Sequence, residues 1–262
     1  MLNTLSPIEW SQAAWRLEGG NITLDCELEL IQPIFLDHLP KYGVIVDAGC
    51  GTAKWVMYLR RLGYRVIGID ISHEACVIAQ GAEPGIELIV ADTQRAALRD
   101  HSVDAVISLG VVEHDEAGPV RALRELHRIL KPGGLLILDV PYNNLLRRLI
   151  LNPLHSHMIR RRRRAKWPLG FSEYRFSARE VRKFLVQAEF EPIRAYPNDL
   201  RPPRNLGLWV DYHNIVFNPF CPPKLEELFV LPGLAGKLGG VLIRWAPWVA
   251  CGEIVYVARA NP

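Results

Sequence analysis

"VIVDAGCGTAKW", residues 44–55, decides how this 262-residue chain reads. Val44, Ile45 and Val46 make an apolar run, Gly49 and Gly51 follow it directly, and a helical pattern opens at Lys54. Glycines between a strand and a helix let the backbone approach a ligand closely, and the helix N-terminus beyond them offers unpaired N–H groups. Asp70 stands 23 residues after Asp47, at the end of a second apolar run, "YRVIGID". A carboxylate there can accept both hydroxyls of a ribose. The glycine pair and the strand-end acid together point to an adenosine-type ligand. A dinucleotide loop wants a third glycine where this chain has Lys54, so that class fits poorly. Asp47, just ahead of the glycines, suits a cationic ligand end such as an α-amino group or a sulfonium.

Outward from that turn, short apolar runs alternate with helical patterns, as in a parallel sheet covered by helices. "GVIVDAG", "YRVIGID", "IELIVAD", "VDAVISLG" and "LLILDV" read as strands one to five. Between them lie "AKWVMYLRRLG", closed by Gly63, a helix from His73 to Gln80, and one buried face of Val120, Leu123, Leu126 and Leu130 that Lys131-Pro132-Gly133-Gly134 ends. "SARE" at 177–180 is a capping-box pattern opening a helix through Ala188, with "EPIRAYP" and "GEIVYVARA" as the last strands. The expected architecture is one α/β domain over 1–262: a helical cap (1–42), a core (43–140), a basic insertion (141–176), a returning helix and strand (177–197), an aromatic and proline-rich insertion (198–250) and a closing strand (251–262).

Composition excludes several classes. Charged residues are 23% and hydrophobic residues 49%, an ordinary globular balance. Five scattered cysteines form no C-x-x-C pair and no zinc spacing with histidine, which predicts no metal and a reducing compartment. "MLNTLSPIEW" lacks a basic region followed by an apolar stretch, so no signal peptide is expected and the cytoplasm is the expected location. The most apolar late segment is interrupted by Pro232, Lys237, Arg244, Pro247 and Glu253, leaving no clean span of ~20 residues to cross a membrane. The net charge of +3 is unevenly spread: residues 145–204 hold 15 Lys and Arg against 5 Asp and Glu, and the remainder 16 against 23.

"VDAGCGTA", "GIDIS", "VADTQ", "VDAVISLGVVEH" and "LHRILKPGGLLILDVP" follow one another in order, and with "YRFSAREVRKFLVQAEFEPI" they resemble the class I S-adenosylmethionine-dependent methyltransferases, in the small-molecule group that includes the ubiquinone-biosynthesis enzymes. The resemblance covers somewhat more than half the chain. It implies a Rossmann-like, doubly wound sheet of about seven strands, mostly parallel with an antiparallel last strand, and helices on both faces. It implies S-adenosyl-L-methionine as cofactor, with Asp47, Gly49 and Gly51 around its methionine part and Cys50 and Thr52 in the same loop. Asp70 would hold the ribose, Ile71, Asp92 and Thr93 would lie along the adenine, and Ser108 and Leu109 would close the near side. Ala53 and Glu189 depart from the family pattern at positions where glycine is frequent. Cys50 reads as a small filler rather than a nucleophile, and Asp104 as structural. His114, after the fourth strand, is the candidate base, though it and Glu113 can equally do no more than shape their loop.

The implied reaction is methyl transfer to a small-molecule or lipid-linked acceptor, at oxygen. The alternatives are an RNA-directed methyltransferase using the basic insertion, and a non-catalytic cofactor-binding protein attached to a partner or membrane surface. Residues 141–250 hold 15 of the 23 aromatic residues, which suits an apolar or ring-bearing acceptor but also suits a small core for the insertions themselves. The run Arg160–Arg164 can meet an anionic membrane, a phosphate backbone or only water, the ordinary fate of a charge run. Nucleic acid is disfavoured because Ser108-Leu109-Gly110-Val111 stands where base amino-methylating enzymes carry Asp/Asn-Pro-Pro-aromatic.

Overall fold

The computed structural model describes residues 26–153, 173–199 and 233–262. Its strands are β1 (Val44–Ala48), β2 (Arg65–Asp70), β3 (Glu87–Val90), β4 (Val103–Leu109), β5 (Leu130–Pro141), β6 (Phe190–Asn198) and β7 (Glu253–Ala260). They form one sheet in the order β3-β2-β1-β4-β5-β7-β6, in which only β7 runs against its neighbours. The chain builds outward from β1 to β3, then returns to lay β4 on β1's other side. The crevice beyond the carboxyl ends of β1 and β4 is therefore the topological switch point, where open α/β sheets bind ligands.

Helices cover both faces. Helices α1 (Gln32–His38), α2 (Lys54–Arg61) and α3 (His73–Ala82) lie on one, α4 (Val120–Ile129) and α5 (Ala178–Gln187) on the other. Strand alternation sorts the side chains accordingly. Ile45, Val66, Ile107, Ile137 and Val255 pack with Phe35, Trp55 and Leu59 of the first face. Val46, Val106, Leu136, Leu138 and Ile254 pack with Leu123, Leu126, Val181 and Leu185 of the second. Each helix carries its own local reason to start. Ser177 accepts from the Glu180 N–H while the Glu180 carboxylate accepts from the Ser177 N–H, completing the capping box that opens α5. Ser72 caps α3 by accepting from the Ala75 N–H at 3.2 Å.

The fifth strand is longer than "LLILDV". Leu130 already pairs with Val103, and the ladder resumes at Ala105 with Leu135, so Lys131-Pro132-Gly133-Gly134 is a bulge in the strand rather than only a helix stop. Proline cannot donate to the ladder, and Gly133 sits at φ 77°, so the four residues loop out while pairing continues on either side. Asp104 seals this edge, taking the Val44 N–H at 2.8 Å and the Lys131 ammonium at 2.7 Å. That is a structural role, remote from the carboxyl ends of the strands.

Residues 154–172 and 200–232, which include Arg160–Arg164, Trp167, Trp209 and Tyr212, lie outside the described residues. After β5 the described chain turns through a short π-helical stretch at Arg147–Leu151, and before β7 through helices α6 (Gly233–Trp245) and α7 (Pro247–Ala250). Among the described residues no helix is long and apolar enough to cross a membrane.

Four described non-glycine residues stand in the left-handed region where glycine is cheaper, Ala53 at φ 59°, His101 at φ 51°, Glu189 at φ 64° and Asp199 at φ 56°. Glu189 is exposed and its side chain holds nothing that the left-handed backbone needs. Glu189→Gly is expected to raise stability by about 1 kcal/mol, or the melting temperature by about 2–4 °C, in thermal denaturation. An unchanged or lower melting temperature would show the position to be unstrained.

Candidate functional site

The turn after β1 is held by β2. The Gly49 and Cys50 N–H groups both donate to the Ile69 carbonyl, at 2.7 and 3.0 Å. Gly49 takes φ 86°, and a Cβ there would lie 2.2 Å from Cγ2 of Val111, so the turn closes over the loop after β4 only with glycine. The Asp70 carboxylate ties the turn to the next one. One oxygen accepts from the Gly51 N–H at 2.7 Å and the other from the Ser72 N–H at 2.8 Å. Each oxygen keeps a second lone pair, so the carboxylate can still take a diol.

Asp47 is almost completely buried on the same face of the sheet as Asp70. Burial first, and then the charge of Asp70, pushes its carboxyl up to about 7. Asp70 is raised by burial too, with the Ser72 and Gly51 N–H groups pulling the other way. Cys50 between the glycines is pushed well up, by burial and then by both aspartates. Its thiol stays protonated and lies under the turn against Gly68, where a Cβ would sit 2.7 Å from the sulfur. That is the environment of a filler, not of a nucleophile. Among the described residues no cation is paired with these two buried acids, an arrangement suited to a cationic, diol-bearing ligand.

The other expected residues occupy the same carboxyl edge with varied geometry. Thr52, Ile71 and Thr93 are half-buried on the loops after β1, β2 and β3. Asp92 is exposed, and one of its oxygens caps the 3-10 turn Thr93–Arg95 through the Gln94 N–H. Gln94 reaches across to Asp115 at 3.0 Å and joins the loops after β3 and β4. Leu109 packs on the Asp47 face, whereas Ser108 alternates to the opposite face, fully buried. His114 is the outward member of its turn, its Nε2 3.8 Å from Oε1 of the buried Glu113.

Sequence reasoning did not single out Asp139, Glu253 and Asn198. The Asn198 amide donates to Asp139 and to Glu253, both at 3.0 Å. Burial and then the charge of Glu253 push the Asp139 carboxyl well up, while burial and then the charge of Asp199 raise Glu253 to about 7, its hydrogen bond with Asp139 pulling the other way. The register Asp47–Ile107–Ile137 carries the Asp47 face across to β5, and Asp139 lies two residues farther along it. Asp139 thus stands two strands across and two residues along from Asp47, ~12 Å away on the same face, and Glu253 lies one strand farther on β7. Glu113 adds a third raised carboxyl, driven by burial and then by Glu173 and Glu253. The available signal was a lone acid inside the apolar runs "LLILDV" and "GEIVYV".

Comparison with known proteins decides what kind of cradle this is. Residues 46–138 match the family model described as a methyltransferase domain. Those residues are a methyltransferase domain. The chain is 38% identical over 108 residues, 40% of its length, to the tRNA (carboxymethyluridine(34)-5-O)-methyltransferase of Arabidopsis thaliana, but spans only 26% of that relative. It is 35% identical over 92 residues, 35% of its length, to the malonyl-[acyl-carrier protein] O-methyltransferase of Pectobacterium atrosepticum and spans 36% of it. A solved S-adenosylmethionine-dependent methyltransferase from Methanosarcina mazei superposes with a TM-score of 0.59 at 20% identity, over 87% of this chain and 97% of that one. The methyltransferase domain is of class I and dependent on S-adenosylmethionine, and the likeness to the ubiquinone-biosynthesis group is only a loose qualifier.

An Asp47 that meets the cationic end of the ligand would give cofactor binding a pH dependence. Below about pH 7 its carboxyl carries a proton that the cationic ligand must displace. Affinity for S-adenosylmethionine is expected to fall with acidification below pH 7, by up to about tenfold per unit, and to level off above it. Titration calorimetry should detect the released proton, and Asp47→Asn should bind more weakly with a flat profile. A wild-type profile that is already flat between about pH 5.5 and 8 would remove Asp47 from the cationic end.

Proposed function

We propose that this chain transfers a methyl group from S-adenosyl-L-methionine to an oxygen of a small-molecule or lipid-linked acceptor entering at the carboxyl edge of the sheet. The observation that carries the reading is the buried pair Asp47 and Asp70, framed by Gly49 and Gly51 at the switch point. When bound, the cofactor supplies an electrophilic methyl on a sulfonium. Asp70 accepts the ribose hydroxyls while holding the Gly51 and Ser72 N–H groups, and Asp47 meets the cationic end. The loops bearing Ile71, Asp92, Thr93 and Leu109 flank the base. Catalysis of this kind rests mainly on positioning, and a base matters only if the nucleophile must lose a proton.

Asp139 and Glu253, bridged by Asn198 at the carboxyl edge of the sheet, are suited to that proton, because burial raises both carboxyls above their ordinary range. His114 is the second candidate, on the rim rather than within the wall. An oxygen acceptor accords with the activities named for the two relatives above, both methylations at oxygen. Ser108-Leu109-Gly110-Val111, standing where base amino-methylating enzymes carry Asp/Asn-Pro-Pro-aromatic, argues for a small molecule. RNA is the second reading, favoured by the Arabidopsis relative and by the basic segment.

Asp70→Ala is expected to weaken S-adenosylmethionine binding at least about a hundredfold by calorimetry, since it removes the diol acceptor and loosens the Gly51 turn. Unchanged affinity would sink the cofactor assignment. Incubation of the protein and radiolabelled cofactor with separated lipid, small-molecule and RNA extracts should place the label in a small-molecule or lipid fraction. Label in RNA alone selects the second reading, and tight cofactor binding with label in no fraction selects a non-catalytic cofactor-binding protein.

A further inference from the structure

Helix α6 (Gly233–Trp245) carries a surface that methyl transfer does not use. Leu234, Leu238, Val241 and Trp245 are 74%, 62%, 56% and 79% exposed. At 100° per residue they fall within a stripe of about 60°. Gly239 is buried and Leu242 and Ile243 are half-buried, so the helix rests on the protein by its other side. Four glycines among its 13 residues, Gly233, Gly236, Gly239 and Gly240, give it weak intrinsic helicity. A weak helix with its apolar face outward gains stability by burying that face in something else.

Charge says what covers it. No acidic residue occurs from 233 to 252, and Lys237 and Arg244 are both exposed beside the stripe. A second short element at the same edge repeats the pattern, with Leu145 and Leu149 exposed next to the exposed Arg148. Both belong to or flank the segments after β5 and β6, and residues 145–204 carry 15 basic against 5 acidic residues. Trp245 and Trp248 close α6 and begin α7, and the Trp248 ring meets Tyr142 at 6.0 Å, tying these helices to the end of β5. Two copies docked through this stripe would bring like charges together. An anionic bilayer takes the apolar side chains, the tryptophans and the cations at once.

We propose that α6 is an interfacial helix that seats the carboxyl edge of the sheet on an anionic lipid surface. Its stripe enters the acyl boundary, Lys237 and Arg244 meet headgroup phosphates, and the acceptor mouth faces the membrane. On the reading above, which this last point rests on, an amphiphilic acceptor then reaches the site without crossing water.

The test is flotation of the full chain with vesicles of phosphatidylcholine alone and of phosphatidylcholine mixed with phosphatidylglycerol, at low and high salt. The wild type should float with the anionic vesicles, less at high salt, and little with the neutral ones. Leu238→Glu combined with Val241→Glu should lower partition at least about tenfold, because the substituted side chains are already exposed. Cofactor affinity and melting temperature should be unchanged in that variant, which separates this proposal from the cofactor assignment. Anionic vesicles should shift the tryptophan emission of the wild type to the blue, and Trp245→Phe should lose most of the shift. A wild type that floats with neither vesicle, or equally with both, overturns the proposal. So does an undiminished double variant, or a vesicle-free dimer that the double variant abolishes.

Discussion

Asp70 is where the cofactor end of the molecule is fixed. Its two oxygens take the Gly51 and Ser72 N–H groups, so one carboxylate sets the turn that opens α2 and the turn that opens α3. Such bonds to an ionised acceptor are strong, and in a buried setting they rigidify what they join. The same carboxylate lies beside Asp47, and the repulsion helps keep Asp47 near neutrality. The free protein therefore stores an unbalanced pair of acids at the switch point of its sheet. Stability is given up there for a site that a cationic ligand completes.

The acceptor side repeats this economy with different residues. Asp139, Glu253 and Asn198 come from three strands, β5, β7 and β6, that are adjacent only in the folded sheet. The antiparallel β7 matters here, because it brings the start of the closing strand, and with it Glu253, to the carboxyl edge. A parallel strand at that place would have put its first residue at the opposite end. Two acidic groups therefore lie on one face of the sheet, Asp47 with Asp70 under the glycine turn and Asp139 with Glu253 two to three strands away.

Much of this was legible because it is local. Buried parallel strands are continuous apolar runs, so "VIVDAG", "YRVIGID" and "VDAVISLG" announced themselves, and the Ser177–Glu180 capping box needs only four residues. Glu189 stands where the family pattern favours glycine, and its backbone is left-handed there, at φ 64°. The bulge at Lys131–Gly134 was less legible, since proline and glycine signal an interruption without saying whether pairing resumes. Ser108 and Leu109, expected to close the near side of the ligand, alternate to opposite faces of β4.

The sequence by itself determined the class of the domain, the order of its core elements and the grouping of Asp47, Gly49, Gly51 and Asp70 at one turn, because glycines and acids within 25 residues of one another are brought together by a single β-α-β unit. Only the tertiary structure decided the acceptor wall and the outward stripe of α6. A lone aspartate in an apolar strand gains a partner only through long-range pairing, here Asp139 with Glu253 more than a hundred residues on. Likewise, an apolar helix face points inward or outward according to what packs behind it, and helical periodicity alone carries no sign for that choice.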